Sequence, residues 1–382
     1  MTRRIVRRFL SDRIPKWLHF VIGIPEESMT HKFSLILLLW LLLMSPQLAA
    51  CGEPRYPVLD SKFPAAEAKL GWIDNEHVIF HGYEVGKFGQ RSADDGHEIR
   101  ETGLFIWDIP QNKVTKYWNI DSQVGLCVFR GGITFKQRAK PGQDIWNVVT
   151  GDLNGAQQRR EEKKIWVNGT SCRQHEQQPE WVSQDRHRRW ALLEEHGYLD
   201  FGIPAWVDPS GKATPIVLYK ADSRKAVELP LTNRQVQFHA TYAEFADAYV
   251  LKGEQRTSDA VPVWQLSSDG TVTKILEPKG RDWERMGWGS AHMTKKGLLL
   301  VGGRAGYDTV GTAGAYLLVN NHPQRLFSGL VWNESVSPDG CKVAFVHVLH
   351  SQAGADSFRA LLAGKPGTRT LKMIDLCAGK GE

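Results

Sequence analysis

The sequence predicts an all-β fold, and three observations predict it. One short pattern recurs six times, strand–turn–strand segments follow most copies, and no long segment after residue 50 sustains a helical apolar period. The pattern is an aromatic or polar lead-in, a turn of Asp, Asn, Gly or Lys, and an apolar β-type run. It runs over Gly71–Phe80, Cys127–Phe135, Trp181–Leu193, Thr241–Leu251, His292–Val301 and Val336–Phe345. Anchored on Ile79, Ile133, Ala191, Val250, Leu299 and Ala344, the copies are spaced by 54, 58, 59, 49 and 45 residues. The clearest second half is Val263–Leu276, where Asp269-Gly270 between alternating runs signals a tight hairpin. Related halves are Leu104–Ile109 with Val114–Trp118, Ile216–Tyr219 with Ala226–Leu229, Tyr316–Val319 with Gln324–Phe327, and Leu371–Leu376.

Two hairpins per unit make four short strands, the content of one β-propeller blade. A lone blade cannot bury both faces of its twisted sheet, so blades must pack on one another around a ring. Six blades are expected. The second and third units are long enough to hold another split, which leaves seven as the alternative. The last unit ends after its third strand at Leu376, so the fourth is expected from residues between Tyr56 and Phe63. Closure by that strand removes an open sheet edge.

Ahead of the repeats, Phe33–Met44 is an apolar run preceded by His31 and Lys32 and followed by Pro46. Twelve residues are too few to span a bilayer, which takes about 20. Such a run fits the apolar region of a secretory signal, and small residues follow it in Leu48-Ala49-Ala50-Cys51. This tetrapeptide resembles the bacterial lipobox. The resemblance implies that the Cys51 thiol carries diacylglycerol and that Cys51 becomes the acylated, palmitate-type N-terminus. Gly52 is not the Asp associated with inner-membrane retention in enteric-type lipoproteins, so an outer-membrane anchor facing the periplasm is expected. Residues 1–28 are long for a charged start. Met29 offers a compact one, with the purine-rich codons of Glu26-Glu27 where a ribosome-binding sequence would lie; the competing reading is a basic amphipathic extension. The chain thus divides into 1–28, a mis-assigned extension; 29–50, a signal peptide; 51–66, a tether and ring-closing strand; and 67–382, the propeller.

Within Val336–Phe345, Ser337-Pro338-Asp339-Gly340 followed by Lys342-Val343-Ala344-Phe345 resembles the WD40-like repeat of the Tol-system periplasmic propeller and of prolyl oligopeptidase propellers. Gly71–Phe80 is a diverged relative of it. The resemblance implies the fold and no activity.

Charge and cysteine usage agree with an exported protein. The net charge is +6, but residues 1–50 carry +4 of it, so a basic pI does not point to nucleic acid. Assigning Cys51 to lipid leaves four cysteines, and proximity favours Cys127–Cys172 and Cys341–Cys377, each within one unit. The alternative is that Cys127 and Cys341 are buried thiols in apolar runs.

Signatures of chemistry are sparse, and no catalytic or metal-ligating residue is named. Gly302–Gly314 lacks the Lys-Ser/Thr ending and following helix of a phosphate loop, and reads as a hairpin loop. His77 with His81 share a strand face while His347 and His350 do not, and neither pair brings a third ligand. No cofactor is expected beyond calcium, for which Glu334 and Asn333 form a local pair placed before an innermost strand. Gln157–Lys164 balances its charges and reads as a solvated hairpin tip. Trp72, Trp181, Trp288 and Trp332 precede first strands and are expected near one channel mouth, where they would bind a ligand or wedge between blades. The function expected is a membrane-anchored binding or scaffold module for an envelope protein or glycan; the alternative is a metal-dependent propeller hydrolase or glycan-active enzyme.

Overall fold

The computed structural model describes residues 56–82, 103–119, 125–129, 131–138, 146–161, 189–192, 197–203, 207, 211–220, 223, 225–253, 261–278, 288–302, 313–348 and 369–378. The chain divides into Met1–Glu53 and Pro54–Glu382, and all of these residues belong to the second unit.

The unit is an all-β propeller. Its first meander is β1 (Val58–Trp72), β2 (His77–Gly82), β3 (Gly103–Asp108) and β4 (Lys113–Asn119). The second is β5 (Gly125–Phe129), β6 (Gly132–Arg138), β7 (Trp146–Asp152) and β8 (Gly155–Glu161). The third is β9 (Arg189–Leu192), β10 (Gly197–Gly202), β11 (Pro215–Lys220) and β12 (Ala226–Thr232). The fourth is β13 (Val236–Ala243), β14 (Ala248–Gly253), β15 (Val263–Ser267) and β16 (Val272–Leu276). The fifth is β17 (Trp288–Thr294), β18 (Gly297–Gly302), β19 (Gly314–Val319) and β20 (His322–Ser328). The sixth is β21 (Leu330–Val336), β22 (Lys342–Val348) and β23 (Arg369–Asp375). All pairings within these sheets are antiparallel between neighbours.

The sixth set takes its fourth strand from the start of the second unit. Val58, Leu59 and Asp60 pair with Ile374, Met373 and Lys372 of β23, while Ala65 and Leu70–Trp72 pair with β2. One fifteen-residue strand therefore serves two sheets. The change of sheet is made at a register shift between Asp60 and Pro64, where Lys62 adopts φ 58°.

Strand composition follows position in the sheet. Second strands are covered on both faces by neighbouring sheets and so read as continuous apolar runs, as in Ala248–Gly253, every residue of which is buried. Fourth strands lie outermost and are polar, as in Lys113-Val114-Thr115-Lys116 of β4. Apolar clusters join successive sheets: Ile79 and Leu104 to Ile133 and Phe135; Leu199 and Leu218 to Tyr249 and Leu251; Val250 and Val263 to Leu298 and Leu300; Leu299 and Leu317 to Val343 and Phe345; Ala344 and Met373 to Val78 and Phe80. Each fully buried Leu or Phe contributes roughly 1.5–3 kcal/mol.

Two sequence assignments shift by a strand. Ala191 lies in β9, the first strand of its sheet, so Leu199 of β10 is the true counterpart of Ile79. Gln157–Glu161 lies within β8, and the hairpin tip is Leu153-Asn154. The four-residue apolar run Trp190–Leu193 and the charged run each look locally like the element expected, but the meander fixes their register.

The disulfide Cys341–Cys377 is formed, with a Cα–Cα distance of 5.2 Å. Cys127 is buried on β5, and Cys172, its expected partner, lies outside the described residues.

Candidate functional site

Neighbouring sheets are linked by side chains that reach the first strand of the next sheet. Thr241 of β13 donates to the Ala291 carbonyl of β17 (3.0 Å), and Lys252 of β14 donates to the Gly289 carbonyl (3.1 Å). From the other side, Trp72 Nε1 at the end of β1 donates to the Ser335 carbonyl of β21 (2.9 Å). Between them, β17 and β21 meet at Glu334, a carboxylate whose side chain is 10% exposed.

Glu334 reaches this seam because β21 bulges. Asn333 adopts φ 48°, and the register with β22 shifts between Trp332 and Ser335. Across the seam, Ser290 and His292 share one face of β17 at a spacing of two, and both donate to Glu334 Oε1, His292 Nε2 at 3.0 Å. Burial pushes the Glu334 carboxyl up, but the hydrogen bond and charge of His292, with the Ser290 hydroxyl, outweigh it and hold it below the ordinary carboxylate range. The carboxylate is the hub: Ser290 gives its proton to Glu334 and not to His292. That order is the reverse of a nucleophile triad, where the imidazole lies between hydroxyl and carboxylate. The cluster therefore acts as a hydrogen-bonded pin between two sheets.

Glu334 and Asn333 lie inside β21, not before it. Glu334, expected with Asn333 as a local pair for calcium, accepts two hydrogen bonds through Oε1. Among the described residues, no group of three or more His, Cys, Asp or Glu is placed to hold a metal ion.

Two of the four tryptophans, Trp72 and Trp288, occupy opposite ends of their strands. First strands run from the end where the previous sheet finishes toward their own turn, so Trp288, which opens β17, and Trp72, which closes β1, mark opposite ends. Trp72 is buried in one apolar cluster with Val346, Leu371 and Met373 of the neighbouring sheet, the wedge arrangement. Trp332 lies in β21 with the Arg369 guanidinium 5.2 Å from its ring. The Trp288 side chain and all of Trp181 lie outside the described residues.

Of the two histidine pairs, His77 and His81 both lie among the described residues, on β2. His77 is held at the turn by Asp74 (2.9 Å) and lies 4.0 Å from Asp108, while His81 is buried further along β2. His347 is buried on β22, its ring edge-on to Phe327 at 4.5 Å between centroids. Burial and the Lys372 charge pull it down to about 4, against the Ser328 backbone and Asp60. His350 and residues 303–312 of the glycine-rich stretch lie outside the described residues.

Comparison with known proteins adds little. No protein-family model matches the chain. No curated protein matches it either. Among solved structures it is similar to an oligogalacturonate lyase in complex with manganese, at 11% identity over 85% of this chain and 92% of that one, with a TM-score of 0.37. It is similar to the β-propeller domain of the trilobed protease from Pyrococcus furiosus, at 13% identity, 75% and 80% coverage and a TM-score of 0.33. It is also similar to an acylaminoacyl peptidase complexed with Z-Gly-Gly-Phe-chloromethyl ketone, at 12% identity and a TM-score of 0.35, covering 75% of this chain and 43% of that one. The chain thus spans less than half of that peptidase. The fold rests on the strand pairing above, and these likenesses assign no chemistry.

Proposed function

We propose that this chain is an envelope lipoprotein, anchored through diacylated Cys51, whose six-bladed propeller is a rigid binding module for an envelope protein or glycan. The order of Lys32, the apolar run Phe33–Met44, the small residues and Cys51 carries the reading. Two acyl chains on one residue give stable membrane attachment, where a single chain is marginal. The Cys341–Cys377 bridge suits an oxidising compartment. Closure of the last sheet by β1 makes the platform stiff, because both ends of the repeat array are fixed in one sheet. The outer membrane, periplasmic side, is the location proposed from Gly52.

Fractionation tests the anchor. Expressed in a Gram-negative host, the full chain is expected in the outer-membrane fraction, and Cys51→Ala in the inner membrane or soluble periplasm. Equal partition of both proteins would overturn the reading.

A further inference from the structure

We infer that the propeller stands on the bilayer with one defined face, the face carrying the short turns that join first to second strands and third to fourth strands. The inference rests on the lipidated Cys51 reading and deepens it by stating which surface meets the membrane.

An antiparallel four-strand meander puts its first-to-second and third-to-fourth turns at one end and its remaining connections at the other. Here the first group is short throughout: 73–76, 295–296 and 337–341 join first to second strands, and 153–154 and 320–321 join third to fourth. Hydrogen bonds tie these turns together across sheets. Lys295 N donates to the Gly340 carbonyl (2.9 Å), Asp339 N to Asn75 Oδ1 (2.9 Å), Lys342 Nζ to the Asn75 carbonyl (2.9 Å), and Gly131 N to the Ile73 carbonyl (3.0 Å). The turn at 244–247 joins them through Phe245. A Cβ at Gly340, which has φ 74°, would lie 2.5 Å from that ring.

The chain enters the propeller at this same face. Asp375 N donates to the Pro57 carbonyl (3.1 Å), and the next residue, Leu376, donates to Cys341 beside the disulfide (2.8 Å). Tyr56 is already packed with Phe345, Ile374 and Leu376. Only Gly52, Glu53, Pro54 and Arg55 separate it from Cys51. Fully extended, the Cys51–Tyr56 stretch spans at most about 18 Å. To rest the opposite face on the bilayer, the tether would first have to run the height of β23, seven residues or about 23 Å. It is too short.

A second observation selects the same face. The exposed large apolar side chains among the described residues are Leu153 (39%) and Tyr242 (38%). Leu153 sits in the β7–β8 turn, and Tyr242 lies two residues before the turn at 244–247, hydroxyl on Asp247. An apolar tip and an exposed tyrosine whose hydroxyl donates to a carboxylate suit the bilayer interface. The opposite face, where the long connections 83–102, 162–188 and 349–368 begin and end, points away from the membrane.

The test uses the lipidated full chain, reconstituted in phosphatidylethanolamine–phosphatidylglycerol vesicles doped with headgroup-spin-labelled lipid. One fluorophore is placed at Lys296→Cys in the β17–β18 turn, and in a second protein at Glu277→Cys just past β16 on the opposite side; unsubstituted protein gives the labelling background. Loss of fluorescence is expected at Lys296→Cys and none beyond background at Glu277→Cys. Equal loss at both, or greater loss at Glu277→Cys, would overturn the orientation while the acylated mass of Cys51 still stood. An unacylated Cys51 in the same preparation would overturn the anchor reading and the orientation together.

Discussion

Replacing Phe63 by Ala tests whether residues 58–64 close the last sheet. Phe63 is partly buried where β1 leaves β23, with its ring centroid 4.6 Å from Phe105 and 5.7 Å from Phe80. Truncating a fully buried Phe costs about 3–5 kcal/mol, and a partly buried one about half of that. Losing two aromatic contacts adds roughly 0.5 kcal/mol or more. The expected destabilisation is therefore about 2–3 kcal/mol. Urea unfolding followed by tryptophan fluorescence reads it as a lower midpoint at unchanged slope. As a control, Lys274→Ala removes an exposed pair with Glu277 (3.2 Å) and is expected to change stability by less than about 0.5 kcal/mol. If Phe63→Ala matched that control, residues 58–64 would not be packed as the fourth strand, and the entry point that orients the ring would be lost.

Three further outcomes follow from the seams. Glu334→Ala strands the Ser290 and His292 donors in a buried gap and is expected to cost about 3 kcal/mol at neutral pH by chemical denaturation, with Glu334→Gln costing less. Because the Glu334 carboxyl is held below its ordinary 4.5, its contribution is present above that value and is lost as pH falls through the lower native one, so the variant's deficit should shrink in acid. His347 titrates near 4 in the folded protein against 6.5 ordinarily, so the unfolded chain takes up a proton first as pH falls. Stability should drop between those values by up to about 3 kcal/mol, and His347→Gln should flatten this drop in unfolding curves taken across the window. Reducing Cys341–Cys377, 36 residues apart, releases a loop whose closure is worth about 4 kcal/mol, read as a lower melting temperature with dithiothreitol; no change would contradict a structural bridge.

Much of the fold was legible because strand position in a blade dictates composition. The second strands announce themselves as apolar runs, and Asp269-Gly270 marks its hairpin because Gly270 must adopt φ 97°. The missing fourth strand was legible from the end at Leu376. What misled was local resemblance. Trp190–Leu193 reads like a second strand, although β9 precedes the turn, and only the pairing of Leu199 with Ala191 and Leu218 settles the phase. The pin was half visible: Glu334 stood out, but Ser290 and His292 are ordinary residues until the Asn333 bulge turns the carboxylate toward β17. Their spacing of two on a strand facing the next sheet was the available signal. The contact of Phe245 with Gly340 joins turns 95 residues apart, and no periodicity encodes it. Trp72 shows the same limit, since its direction depends on which end of the first strand it occupies.

The most direct measurement is the mass of the N-terminal peptide of the mature protein, purified from envelope membranes and digested with trypsin. The account predicts a peptide beginning at Cys51 and ending at Arg55, carrying diacylglycerol on sulfur. A peptide that continues unbroken through Ala50-Cys51, or an N-terminal Cys51 with a free thiol, would contradict it.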